Sequence, residues 1–166
     1  MATVTLRGTP IHTNGEPPAV GRPAPDFTLV ASDLKDVRRA DAAGRWTLLN
    51  VFPSIDTPVC AESTRRFNAY AKEHPEVVFF MISADLPFAH QRFCSAEGLA
   101  NVRPLSMMRS KDFARDYGIL LVDGPLAGLA ARAVFVLDPA GVVRHAELVP
   151  EIAQEPNYAT ALKVLP

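Results

Sequence analysis

Continuous apolar runs separated by amphipathic stretches fill the middle of the chain. Residues 47–52 (Thr-Leu-Leu-Asn-Val-Phe) and 76–83 have the length and composition of strands buried on both faces of a sheet. The first run ends at Pro53, which cannot donate to a sheet ladder. Residues 60–72 change to a helical period. The apolar face of that helix would comprise Ser63, Phe67, Tyr70 and Ala71. The pattern predicts a strand–helix–strand unit.

A second helix follows the second strand. Asp85 can cap its N-terminus, Pro87 suits its first turn and Gly98 marks its end. Leu105–Met108 is then a weaker strand candidate, and a third helix is expected near Lys111–Tyr117. The alternation of strands with helices predicts parallel strands joined by crossover helices.

The two ends of the chain carry hairpin signals. Residues 133–137 and 142–146 flank Asp138-Pro139-Ala140-Gly141, and a last helix is expected around Pro156–Val164. At the N-terminus, residues 3–7 alternate as a strand. The turns of an N-terminal hairpin would be Gly8-Thr9-Pro10 and Asn14-Gly15-Glu16, followed by a short strand at 26–30.

The order of these elements predicts an α/β fold: a thioredoxin-like mixed sheet flanked by helices, with an N-terminal β-hairpin extension. The 166 residues are the size of one domain, so residues 1–166 are expected to form a single thioredoxin-like domain. A net charge of −1 gives no electrostatic reason to expect nucleic acid, and no apolar run is long enough to span a membrane. Residues 1–8 lack the apolar core of a signal peptide, which favours the cytoplasm.

Cys60 occupies a position suited to thiol chemistry. Thr57 fits the N-cap and Pro58 the first helical position, so the cysteine would lie about three residues inside the helix start. Exposed backbone N–H groups and the helix dipole favour a thiolate there. The alternative is an inert core residue, because cysteine is among the most buried residue types. On these local features the two interpretations are nearly level.

The motif Pro53-x-x-x-Thr57-x-x-Cys60 resembles the active-site signature of the peroxiredoxins, and Pro53-Ser54-Ile55-Asp56-Thr57-Pro58-Val59-Cys60 looks like their bacterial thiol peroxidase branch. The resemblance extends over nearly the whole chain. The other stretches that carry it are Gly21–Phe27, Ser83–Ala89 with Arg92–Cys94, and Asp123–Leu126 with Gly128–Ala133.

The resemblance implies a role for each matching residue. Cys60 would be the peroxidatic nucleophile, and Arg132 would stabilise its thiolate and the charge that develops on the peroxide. Thr57 would bond the thiolate or orient the peroxide, while Pro53 would exclude water. Cys94 would be the resolving cysteine of an atypical two-cysteine enzyme, closing an intrachain disulfide that thioredoxin reduces. A homodimer is also implied; no cofactor is.

Several residues have plainer interpretations. Cys94 could be an ordinary core thiol, and Thr57 only a helix cap. Four histidines are dispersed without ligand spacing and are expected to be surface or structural residues, with no metal: His12, His74, His90 and His145. Met81, Met107 and Met108 are expected in the core.

Two other function classes compete with a peroxidase. A cysteine hydrolase would need a histidine within hydrogen-bond reach of Cys60, and no histidine here falls in a motif that promises one. A redox-silent thioredoxin-like binding module would explain the fold, but it would leave the combination of Thr57, Cys60 and Arg132 as coincidence.

A final expectation concerns resolution. Cys60 and Cys94 are predicted on two different packed helices, whose axes lie ~8–10 Å apart. A disulfide requires Cα atoms within about 7 Å. Closing the bridge should therefore require the first turn after Thr57, the helix around Arg92–Ala96, or both to unwind locally.

Overall fold

The N-terminal segment forms a separate hairpin. In a computed structural model that describes all 166 residues, β1 (Thr3–Leu6) pairs antiparallel with β2 (Thr9–His12) in a two-stranded sheet. The turn is Arg7-Gly8, both at positive φ, so Thr9 and Pro10 belong to the second strand rather than to the predicted turn. The hairpin extension itself is as expected.

The main sheet has seven strands in the order β4-β3-β7-β6-β5-β8-β9. Only the pairs β5·β6 and β6·β7 are parallel; every other pair is antiparallel. The strands are β3 (Thr28–Ala31), β4 (Asp36–Arg38), β5 (Thr47–Val51), β6 (Val78–Ser83), β7 (Arg103–Ser106), β8 (Ala133–Leu137) and β9 (Val143–Leu148). This mixed sheet confirms the predicted thioredoxin-like α/β class.

Four α-helices accompany the sheet: α1 (Pro58–Glu73), α2 (Pro87–Glu97), α3 (Asp112–Asp116) and α4 (Tyr158–Lys163). The strand β4 and a short 3-10 helix at Arg39–Ala42 were not predicted, because neither carries an apolar run long enough to show a period. No helix is both long and apolar enough to cross a membrane.

Alternate residues of the central strands enter two different cores. In β8, Val134 and Val136 pack with α1 and α4, whereas Phe135 packs on the opposite face with α3 and the N-terminal hairpin. Residues of β5 and β6 alternate in the same way: Leu48, Phe79 and Met81 face one core, and Leu49, Phe80 and Ile82 the other. Because both faces are covered, these strands have no polar side, which explains their continuous apolar runs.

Four local predictions need correction. Tyr70 and Met108 were expected in the core but are 38% and 37% exposed. Thr57 does hold the N-cap position of α1, yet its side chain makes no capping hydrogen bond. The N-cap of α2 is Leu86 rather than Asp85, whose carboxylate is bonded to other groups.

Candidate active site

The site is built where β5 ends and α1 begins. The chain leaves β5 at Val51, turns through the buried Pro53, and enters α1 with Pro58 at its first position. Cys60 is the third residue of the helix, a free thiol that is fully buried. The predicted position of Cys60 at the helix start is therefore the observed one. Exposed backbone N–H groups of a first helical turn favour a negative charge at this position.

A buried arginine lies against this thiol. Arg132 is 2% exposed, and its Nη2 lies 3.2 Å from Cys60 Sγ. Its Nε donates to the backbone carbonyl of Ile152 at 2.9 Å, and Nη1 has no partner. No carboxylate forms a salt bridge with this guanidinium, although the chain has many other arginine–carboxylate pairs. A buried cation without an acid is costly, so an anion at Cys60 would offset that cost.

Thr57 and Pro53 line the same cleft as Arg132. The Thr57 hydroxyl donates to the carbonyl oxygen of Ser54 at 2.9 Å, which fixes the orientation of the side chain. Its hydroxyl proton is thus engaged, and its oxygen is left to accept a hydrogen bond from another molecule. The structure thus brings Thr57, Pro53 and Arg132 to one cleft, and Arg132 connects that cleft to the buried Cys60.

The cleft that Arg132, Thr57 and Pro53 line has a volume of about 460 Å³ and a mostly apolar wall. Leu126 and Leu129 come from the loop before Arg132, Leu6 from the N-terminal hairpin and Ile152 from the segment after β9. Sequence reasoning missed these contributions, because the apolar residues come from three distant segments and form no local pattern. The cleft can hold an apolar group attached to a reacting oxygen.

Cys94 is not in this cleft. It lies in the second half of α2, partly buried, beside Ser32 and Pro104 on the β3–β7 side of the sheet. Burial raises the pKa of the Cys94 thiol to about 11. Both cysteines are free thiols, and Cys60 lies against Arg132 whereas Cys94 lies beside Ser32 and Pro104.

Asp85 holds the loop that precedes Cys60. Its carboxylate accepts hydrogen bonds from the Ser54 hydroxyl and the Ile55 amide, both at 2.7 Å. Partial burial on its own would raise the pKa of this carboxyl. The His90 ring, whose Nε2 lies 3.7 Å from Oδ2, and hydrogen bonds from Ser83, Ile55 and Ser54 outweigh it and hold the pKa well below its usual range. The sequence predicted Asp85 as a helix cap and missed its role in holding this loop. An aspartate directly after a strand suits either role, so the sequence could not distinguish them.

No three His, Cys, Asp or Glu side chains gather where they could hold a metal ion. No histidine hydrogen-bonds Cys60, whose side-chain partner is Arg132. His90 is a buried structural residue, in line with its interpretation from the sequence.

Comparison with known proteins agrees with the sequence resemblance. Residues 19–162 match the Redoxin family. The chain is 53% identical, over 165 residues and 99% of both chains, to proteins named thiol peroxidase from Mycobacterium bovis and Mycobacterium tuberculosis.

Solved structures show the same architecture. A peroxiredoxin-like protein from Aquifex aeolicus superposes with a TM-score of 0.93 at 38% identity, covering 98% of this chain and 95% of the other. A thiol peroxidase from Chromobacterium violaceum gives a TM-score of 0.90 at 24% identity, with coverage of 98% and 94%, and at that identity supports the fold alone.

Proposed function

The chain belongs to the Redoxin family and is a peroxiredoxin-type, thiol-dependent peroxidase, and from that premise we propose its mechanism. It reduces hydrogen peroxide and organic hydroperoxides, and Cys60 becomes a sulfenic acid in the reaction. Cys94 then resolves the sulfenic acid as an intrachain disulfide, which thioredoxin reduces. The observation that carries the proposal is the contact of Arg132 Nη2 with Cys60 Sγ. A buried guanidinium without an acid partner favours the thiolate, the reactive form of cysteine.

In the first step the Cys60 thiolate attacks one oxygen of the hydroperoxide. The S–O bond forms as the O–O bond breaks, the sulfur is oxidised to a sulfenic acid, and the other oxygen leaves as water or an alcohol after taking a proton. Arg132 Nη1 has no partner in the protein, so it can donate to a peroxide oxygen while Nη2 keeps the sulfur. Negative charge moving from sulfur to oxygen would stay beside the same guanidinium.

Thr57 and Pro53 would prepare the peroxide for this attack. The hydroxyl oxygen of Thr57 can accept the O–H of a hydroperoxide, because its own proton is already given to Ser54. The buried ring of Pro53 keeps water from the site. The apolar wall formed by Leu126 and Leu129 would receive the organic part of a larger hydroperoxide.

In the second step Cys94 attacks the sulfur of the sulfenic acid, a disulfide forms and hydroxide leaves to become water. A dithiol of thioredoxin then reduces the disulfide, and both cysteines return to thiols while thioredoxin is oxidised. This cycle requires a reducing compartment, which supports a cytoplasmic protein. We also propose that residues 1–166 form a single domain and that the protein is a homodimer.

A stopped-flow assay tests the proposal. Reduced protein is mixed with hydrogen peroxide or cumene hydroperoxide, and turnover is followed with thioredoxin, thioredoxin reductase and NADPH. Cys60→Ser should abolish turnover, because a serine hydroxyl is un-ionised at pH 7 and a poor nucleophile towards peroxide. If Cys60→Ser kept its thioredoxin-dependent turnover, Cys60 would not be the nucleophile. The competing function, a cysteine hydrolase, would instead release a carboxylic acid from an activated ester.

A further inference from the structure

The turn of the N-terminal hairpin binds the carboxylate of Glu151, a residue that follows β9. The backbone amides of Arg7 and Gly8 donate to it at 2.9 and 3.1 Å, and both residues have positive φ. Successive amides of a turn can converge in this way on one anion. The Thr5 hydroxyl and the Ala153 amide donate to the same carboxylate. Glu151 thus accepts four hydrogen bonds.

These four donors match the lone pairs of an ionised carboxylate. Oε1 accepts from the amides of Arg7 and Ala153, and Oε2 accepts from the Thr5 hydroxyl and the Gly8 amide. The Thr5 hydroxyl foremost, and then the three amides, hold the pKa of Glu151 well below its usual range. A glutamine here would direct its N–H groups at two of the donors. The position therefore requires an anion rather than any polar side chain of this length.

One of the four donors belongs to the peptide unit that orients Arg132. The Ile152 carbonyl accepts from Arg132 Nε at 2.9 Å, and the Ala153 amide of the same peptide unit donates to Glu151 at 3.1 Å. Because a trans peptide unit is planar, its carbonyl and its N–H point in opposite directions and can only turn together. The peptide unit is thus held between the carboxylate on one side and the guanidinium on the other.

This arrangement connects Glu151 to Arg132 without a direct ion pair. All four partners of Glu151 are uncharged groups, and Arg132 has no carboxylate of its own. A carboxylate at the N–H end of a peptide unit polarises the carbonyl at the other end, which strengthens its bond to a cation. Glu151 can therefore support the buried guanidinium without competing with Cys60 for it.

We propose that Glu151 is a positioning residue of the peroxide site: through the Ile152–Ala153 peptide unit it fixes Arg132 so that Nη2 stays on Cys60 and Nη1 stays free for the peroxide. The N-terminal hairpin then takes part in the reaction, because it supplies three of the four bonds to Glu151. The proposal rests on the proposed function, since it assumes that Cys60 reacts with peroxide.

Two measurements on reduced variants test this role. Stopped flow gives the rate at which peroxide oxidises Cys60, and a pH titration of the ultraviolet thiolate absorbance gives the midpoint at which Cys60 ionises. The Cys60→Ser protein supplies the background of the titration. Cys94 does not interfere at neutral pH, because burial raises its pKa to about 11.

Glu151→Gln should slow the oxidation of Cys60 roughly tenfold and move the midpoint to higher pH, because Arg132 is no longer fixed beside the sulfur. Glu151→Asp keeps the carboxylate on a shorter side chain and should recover part of both effects. Glu73→Gln, an exposed change on α1 that removes the same charge, is the matched control and should change neither.

The direction of the shift separates positioning from charge and from stability. If Glu151 acted only through its negative charge, its removal would move the midpoint to lower pH, since a nearby anion disfavours the thiolate. If it only held the hairpin in place, the melting temperature would fall while the rate and the midpoint stayed as in the wild type. Either result would overturn the proposal.

A milder variant decides if Glu151→Gln does not fold. Thr5→Val removes one of the four donors and keeps the shape of the side chain. It should slow oxidation several-fold and shift the midpoint in the same direction, whereas wild-type values for both would contradict the role of Glu151.

The titration uses no peroxide. A shift to higher pH in a protein that does not reduce peroxide would therefore count against the proposed function and still support the positioning of Arg132 by Glu151.

Discussion

Arg132 Nη2 lies 3.2 Å from Cys60 Sγ, although the two residues are 72 positions apart in the sequence. The contact crosses from the residue that precedes β8 to the first turn of α1. The second bond of the guanidinium, from Nε to the Ile152 carbonyl, prevents it from turning away from the sulfur. A lysine has no planar fork and could not make both contacts in the same geometry.

The first prediction concerns this pair. Arg132→Lys and Arg132→Met should both fold. The methionine variant should react with peroxide ~100-fold more slowly than the wild type, because the fixed donor at the reacting atoms is lost. The lysine variant should recover only part of the rate despite its charge. Stopped-flow oxidation of Cys60 measures this, with the exposed Arg115→Ala as a control that leaves the rate unchanged. Equal rates in wild type and both variants would exclude Arg132 from catalysis.

The second prediction concerns resolution. Cys94→Ser should react once with peroxide and then fail to turn over with thioredoxin, so that Cys60 accumulates as sulfenic acid and its overoxidised products. Mass spectrometry of the treated variant, with and without a sulfenic-acid trap, distinguishes these species. Normal thioredoxin-dependent turnover would mean that Cys94 is a structural thiol.

The third prediction follows from burial of Cys94. Its folded pKa of about 11 is above the ~8.5 of an exposed thiol, so the unfolded protein loses this proton first as pH rises. The stability that Cys94 contributes is fully present below ~pH 8.5, declines above it and is lost as pH rises through 11. Urea unfolding of wild type and Cys94→Ser should show a constant difference in free energy from pH 6 to 8 and a shrinking one above. A difference that grows above pH 9 would contradict the burial argument.

How much the sequence could predict differs between backbone and side chains. Continuous apolar runs identified β5, β6 and β8, and Thr57-Pro58 located the start of α1 to the residue. The hydrogen-bond partners of Asp85 could not be predicted in this way, because Ser54 and Ile55 lie about 30 positions away and carry no periodic signal. Tyr70 sits at a helical spacing that fits the buried face, yet the edge of that face is solvent-exposed.

The contact that orients Arg132 in the cleft could not be predicted from the sequence either. Arg132 could be assigned from family resemblance, whereas the Ile152 carbonyl that orients it is a backbone group in an irregular segment. No residue type is required to supply a carbonyl oxygen, so no sequence pattern marks it. Contacts of this kind become visible only when the chain is folded.

The last prediction is that α2, rather than the first turn of α1, unwinds when the disulfide forms. Cys60 points towards Arg132 beside β8, and Cys94 lies beside β7 and β3, with β5 and β6 between these positions in the sheet. Axes of packed helices are ~8–10 Å apart, and thiols that do not face each other are further apart than that. Disulfide geometry, with Cα atoms within about 7 Å, therefore requires one helix to open.

The attachments of the two helices decide which one opens. The start of α1 is held by the side chains of Ser63 and Thr64, which both donate to the Cys60 carbonyl, and by Phe67 in the core. In the second half of α2 only Phe93 and Cys94 are partly buried, and the other attachment is the partly exposed ion pair of Glu97 with Arg65. The backbone amides of residues 90–97 should therefore lose protection from hydrogen exchange on oxidation, with little change in residues 62–72.

A pair of variants tests the same prediction. Glu97→Gln should speed closure of the disulfide several-fold, because local opening of α2 becomes easier, whereas Glu73→Gln, an exposed change on α1, should leave the rate unchanged. Protection lost only in α1, or α2 equally protected in both redox states, would show that another segment moves.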